Sequence, residues 1–170
     1  MTNNWGAILK ICAEIHACQK AGLNTAALAM CYVAVDTMAY LHLPEGKEKQ
    51  VSSDFIAWVD LYLKGHTNQP YKYRGKDVYG ARCAFLHAHA FEVDFHDKYP
   101  DIFRFAYSDG GKHIFLTDVG QKPVVIIGLV SFINDVINAI SDFLNQCGLD
   151  QNLRSRVERR LPNLLISVNI

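Results

Sequence analysis

Arg82 and His87 stand five positions apart in a stretch patterned as a helix. Histidine is the side chain whose unperturbed pKa lies near neutrality, so it can both give and take a proton. Arginine keeps its charge and can bridge two phosphoryl oxygens, stabilising negative charge that develops on them. On an ideal helix Arg82 shares a side with Val78, Tyr79, Phe85, Leu86, His89 and Val93. A guanidinium among apolar neighbours needs a partner or a ligand. Asp36 lies inside another apolar helical stretch, is itself an acid in need of a partner, and makes Arg82 the obvious counterpart. His87 lies about 140° round the helix from Arg82. Either the arginine reaches across or a second subunit completes the site. The plain alternative stays open: Arg82 holds the bundle together through Asp36, and His87 is an ordinary polar residue.

Two cationic stretches add to this pair. Tyr71, Lys72, Tyr73, Arg74 and Lys76 interleave rings and charges just ahead of the Arg82 helix, a pattern suited to stacking bases and touching phosphates. Arg154, Arg156, Arg159 and Arg160 cluster near the chain's end. For both, a solvated face is the competing reading. The other histidines, His16, His42, His66, His96 and His113, are scattered, and His87 and His89 point to different faces of a helix. No Gly-rich phosphate loop, nucleophile elbow or paired-carboxylate motif occurs, so no metal and no cofactor is expected.

The elements that must position these residues are well punctuated. Trp5 to Ala21 has helical spacing and ends at Gly22. Asn24 can cap a second helix that runs to about Leu43, where Pro44 stops it. Ser53 and Asp54 open a third, ended by Gly65. After a polar loop from His66 to Lys76, a fourth is expected from about Asp77 to Asp97. The segments Ile102–Tyr107 and Lys112–Leu116, joined by Ser108-Asp109-Gly110-Gly111, read as a β-hairpin over about residues 102–116, set apart from the candidate site. Pro123 suits the first turn of a long fifth helix ending near Gly148, and Asp150 can cap a sixth that Pro162 stops. The expected fold is therefore mainly all-α: one domain over residues 1–170, a bundle of about six helices with one small hairpin.

Composition narrows the function classes. Of 170 residues half are apolar, and 17 basic side chains balance 17 acidic ones. That excludes a globally basic nucleic-acid binder, though not a local basic patch, and leaves little repulsion between copies. Five cysteines without a Cys-x-x-Cys argue for reduced thiols in a cytoplasmic protein. The apolar run from Pro123 to Ile133 is too short to span a bilayer, so no membrane role is expected.

The segment Asp77-Val78-Tyr79-Gly80-Ala81-Arg82-Cys83-Ala84-Phe85-Leu86-His87 resembles the Arg-x(4–6)-His signature of HEPN-domain proteins, and Asp54 to Asp60 resembles the preceding helix of small stand-alone members. The useful likeness covers about residues 53–92. It implies a small all-α domain with Arg82 and His87 as catalytic residues; Asp36, Cys83 and His89 are the candidate supporting residues beside them. It further implies a toxin-like or defence-type endoribonuclease that cleaves RNA by 2′-OH attack without a metal, as a homodimer whose two Arg–His pairs share a cleft. An antitoxin or inhibitor protein would be a natural partner. The chain differs from the family at two positions. The residue after the arginine is commonly polar there and is Cys83 here, and one branch carries Tyr where this chain has His89. The rival readings are a non-catalytic HEPN-like module that binds RNA or a protein, and a plain helical scaffold.

Overall fold

The computed structural model describes residues 5–65, 68–119 and 122–164. His66 lies outside them. The elements run α1 (Gly6–Lys20), α2 (Asn24–His42), α3 (Ser52–Tyr62), α4 (Gly75–Ala88), α5 (Asp94–Lys98), β1 (Arg104–Ser108), β2 (Ile114–Val119), β3 (Lys122–Gly128), α6 (Leu129–Leu149) and α7 (Gln151–Arg160). A 3-10 turn, Leu161–Asn163, follows and contains Pro162.

The bundle is built round α2. Its buried residues, from Ala27 through Tyr32, Val35 and Met38 to Leu41, fall on almost every side, as expected of a helix surrounded by others. Ala27, Ala34 and Ala39 are fully or almost fully buried and let neighbouring helices come close. Helices α1, α3, α4, α6 and α7 all pack against it. In contrast α6 is one-sided, burying Phe132, Val136, Ala139, Ile140 and Phe143 in a helical stripe. Each such fully buried large side chain contributes about 1.5–3 kcal/mol. Asp150 caps α7 as expected, its Oδ1 accepting from the backbone N–H of Asn152 at 2.9 Å and of Leu153 at 3.0 Å. Among the described residues, no helix is long and apolar enough to cross a membrane.

Four expectations need correction. Asn24 does not cap α2: Leu23 holds that position, and the Asn24 amide donates to Asp109 Oδ1 at 2.6 Å. The fourth helix stops at Ala88, well short of Asp97. His89 turns left-handed with φ 46°, and the N–H groups of His89 and Ala90 close back on Phe85 and Ala84. Pro123 does not begin a helix. It lies at the start of β3, beside an irregularity in the pairing with β2, where its missing N–H is tolerated. The β-branched run Val124-Val125-Ile126-Ile127 then makes a buried strand.

The fourth correction is the hairpin. The sheet has the order β1-β3-β2, with β1 parallel to β3 and β2 antiparallel to it. β3 thus separates the two strands that the sequence appeared to pair, and Ser108–Gly111 is a crossover. The Val130 N–H donates to the Gly110 carbonyl at 3.2 Å, and Ser131 Oγ bonds the Gly111 carbonyl. A Cβ on Gly128 would stand 2.5 Å from the Gly111 carbonyl carbon. Nor is the sheet peripheral, because Phe105, Val125 and Ile127 belong to the main core.

These contacts set up a contrast between two glycines. Gly128→Ala should lower stability by about 1–3 kcal/mol, because backbone has to move away from backbone. Gly148→Ala, in a helix with open space around it, should raise stability by up to about 1 kcal/mol. Urea unfolding of the two variants checks this, and equal effects would contradict the crossover packing.

Candidate functional site

The first turn of α4 is fixed before Arg82 is reached. A Cβ on Gly75 would lie 2.4 Å from the Ile56 carbonyl oxygen, so only glycine lets α4 start this close to α3. Asp60 Oδ1 accepts the Gly75 N–H at 2.6 Å. Asp77, with no exposed surface, accepts from the Tyr71 hydroxyl at 2.7 Å, from Arg74 Nε and Nη2 at 2.7 Å each, and from the Phe103 N–H at 3.0 Å. A carboxylate so fully bonded anchors the helix to the chain on either side.

Two turns on, Arg82 bonds a single oxygen of Asp36 on α2. Its Nε lies 2.8 Å and its Nη2 2.7 Å from Asp36 Oδ2. The side chains are 20% and 26% exposed. Arg82 Nη1 stands 2.9 Å from His87 Nε2 and 3.8 Å from Cys83 Sγ. The guanidinium therefore reaches across the helix within one chain, and a second subunit is not needed to bring the pair together. Guanidinium nitrogens only donate, so His87 Nε2 is the acceptor and the imidazole is the neutral Nδ1–H tautomer. His87 is exposed. Burial pushes the Asp36 carboxyl above its ordinary value, while the Arg82 hydrogen bond and charge work against that. Burial likewise opposes the Arg82 charge, and its bonds to Asp36 more than restore it.

Beside the pair lies an open cleft of about 450 Å³ lined by Asp36, Gln50, Val51, Ser52, Phe55, Tyr79 and Arg82. The Gln50 amide approaches Asp36 Oδ1 at 3.5 Å. Burial, with the neighbouring Cys83, holds the Tyr79 hydroxyl above its usual range. The sequence pattern contained no signal for Gln50 or Ser52, which sit where a loop turns into α3. Tyr79 was visible only as a neighbour of Arg82 on the helix.

The other sequence-selected residues divide differently. His89 is exposed, its ring stands 5.1 Å from that of Phe85, and its position is the left-handed helix end. The aromatic and cationic run is not a stacking platform. Tyr71 and Tyr73 are 2% and 8% exposed and face the core, because 71–74 is extended and its side chains alternate. Lys72 and Arg74 point outward, with Arg74 tied to Asp77, and Lys76 lies over the Tyr99 ring at 4.7 Å. Of the arginines of α7, Arg154 pairs with Glu158 within the helix, and the other three serve the end of α2. Arg160 donates to the carbonyls of Pro44 and Lys47 at 2.9 and 3.0 Å, Arg156 to that of Leu43 at 3.2 Å, and Arg159 pairs with Glu45.

One histidine that the sequence left among the scattered ones proves structural. His113 is fully buried. Its Nδ1 accepts the Gly128 N–H at 3.1 Å, so Nε2 carries the proton and donates to the Tyr73 hydroxyl at 2.7 Å, which donates to Asp135 Oδ2 at 3.0 Å. Among the described residues, no three His, Cys, Asp or Glu side chains are grouped to hold a metal ion. Comparisons with protein-family models, with curated proteins and with solved structures find no significant match.

Burial, with the Lys72 charge, lowers the His113 pKa from 6.5 to about 4. The unfolded chain therefore binds a proton here before the folded one does. The stability that depends on a neutral His113 is present above pH 6.5 and is lost as pH falls from there to about 4. Relative to wild type, His113→Gln should be less stable at pH 7 and show a shallower loss between those values in denaturant titrations. Parallel stability–pH curves would contradict it.

Proposed function

We propose that this chain is a HEPN-like, metal-independent endoribonuclease of toxin or defence type that acts as a homodimer. The observation that carries the reading is the 2.9 Å contact of Arg82 Nη1 with His87 Nε2, at an exposed edge, with Asp36 gripping the other side of the guanidinium. A phosphodiester arriving at this edge offers oxygens to Arg82 Nη1. That contact displaces His87, whose Nε2 lone pair becomes free to accept the 2′-OH proton. The 2′ oxygen then bonds to phosphorus, the bond to the 5′ oxygen breaks, and a 2′,3′-cyclic phosphate remains. The leaving 5′ oxygen takes a proton from a second protomer's His87, present in the shared cleft as the imidazolium, so that ring ends neutral while the first, having accepted the 2′-OH proton, ends charged. Because the nucleophile is the 2′-OH, DNA is not a substrate. Cys83 favours a second reading, a non-catalytic RNA- or protein-binding module, since a thiol stands where the family commonly has a polar group.

Purified protein should cut single-stranded RNA in excess EDTA, leave DNA intact and yield 2′,3′-cyclic ends. His87→Ala should cost about 10²–10⁴-fold by removing proton transfer. Arg82→Ala should abolish cleavage but leaves Asp36 half-buried without its cation, so circular dichroism must accompany it. Cleavage that survives both changes in folded protein would sink the assignment. Binding of RNA without cleavage would leave the module reading.

The dimer has its own support in apolar residues exposed round the pair. Val33, one turn before Asp36, is 41% exposed, Val51 at the cleft is 52% exposed, and Phe91 just past α4 is 40% exposed. Light scattering at micromolar concentration should give a dimer, and Val33→Asp with Val51→Asp should give monomers with reduced cleavage. A wild-type monomer that cleaves at full rate would exclude the shared cleft.

A further inference from the structure

We propose that the cleft beside Arg82 holds the base of the nucleotide next to the scissile phosphate, and that Asp36 and Gln50 make it select bases bearing an exocyclic amino group. This rests on the ribonuclease reading for its substrate class, and on the cleft itself for everything else.

The cleft has about 450 Å³, within the roughly 300–1,000 Å³ usual for small-ligand sites. Its one cation and one anion, Arg82 and Asp36, are bonded to each other, so it offers a phosphate no uncompensated charge. The phosphate is better served outside, at Arg82 Nη1 and His87. What remains inside is an apolar and aromatic wall, Val51, Phe55 and Tyr79, with polar groups at one end. That is a setting for a neutral, planar ring.

The polar end discriminates. Asp36 Oδ2 is occupied twice by Arg82, whereas Oδ1 receives, among the described residues, only the Gln50 amide at 3.5 Å, the limit of a hydrogen bond. Oδ1 is thus an anionic acceptor with most of its capacity unused, on the wall of a cleft. The amino groups of adenine, cytosine and guanine donate to such an atom, and the Gln50 amide can make the adjoining contact to the same base edge. Uracil sets two carbonyl oxygens on either side of its one N–H and is repelled.

The test uses the full chain and the four 3′-nucleoside monophosphates, with affinities from calorimetry. The 3′-phosphates of adenosine, cytidine and guanosine should bind about tenfold tighter than that of uridine, the difference made by one hydrogen bond to a charged group. Gln50→Ala should weaken the three amino-bearing nucleotides and narrow that gap. Ser52→Trp, which adds a large side chain to the cleft lining, should reduce all four to the affinity of inorganic phosphate while circular dichroism stays native. The proposal is overturned if the four bind alike, if none binds more tightly than phosphate, or if folded Ser52→Trp protein binds them as wild type does. Base-selective binding without RNA cleavage would sink only the ribonuclease reading. Cleavage by a protein that binds all four nucleotides alike would sink only this one.

Discussion

A guanidinium lodged between two helices has to be neutralised where it lies, and Asp36 is the group that does it. Because Asp36 belongs to α2, round which the bundle is built, the pair ties the candidate site to the most buried helix of the fold. The bond also uses only one carboxylate oxygen and one edge of the guanidinium. The opposite edge is left to His87, and the other oxygen to the cleft. A bidentate pairing would have used both oxygens and left the cleft wall with no acceptor to offer. The asymmetry of one ion pair thus creates two distinct surfaces, one for proton transfer and one for recognition.

That pair can be so placed because α4 is held at its other end as well. Asp77 collects four hydrogen bonds in the first turn, and Gly75 allows the backbone of α4 to press on α3. Between these anchors the helix has little freedom to rotate. The length of the arginine side chain then covers the angle that separates positions five apart. At the far end of α2, the arginines of α7 bond to carbonyls that the helix and the turn after it leave unpaired. Carboxylates position one helix and cations secure the other.

Much of this was legible in the sequence wherever the information is local. The helical periods of α1 to α3 and the Asp150 cap follow from single stretches, and two charges in apolar runs made Arg82 the natural guess for Asp36 without showing the contact. The strand order does not, since β1 meets β3 across a connection that contains a whole strand, and the run Val124–Ile127 reads equally as buried helix or buried strand. The end of α4 at Ala88 rests on a histidine taking a left-handed conformation more usual for glycine, which no period reveals. Tyr71 and Tyr73 were misread for another reason. The alternation Tyr-Lys-Tyr-Arg is also that of an extended segment with one face in the core, and burial selected that meaning. In the site, the two charges were visible and the neutral cleft residues Gln50 and Ser52 were not, because Gln50 comes from a loop and Ser52 from the first position of α3.

The order β1-β3-β2 has a consequence for how the chain is made. The middle strand is the last of the three to be synthesised, so β1 and β2 leave the ribosome with their shared partner still to come. During that interval the four residues Ser108 to Gly111 offer them a tight reversal into each other, a pairing that the finished sheet must not contain. Val124 to Ile127 must therefore insert between two edges that could otherwise close on one another. The native order requires that β3, with its apolar run, be a better partner for each edge than the edges are for one another.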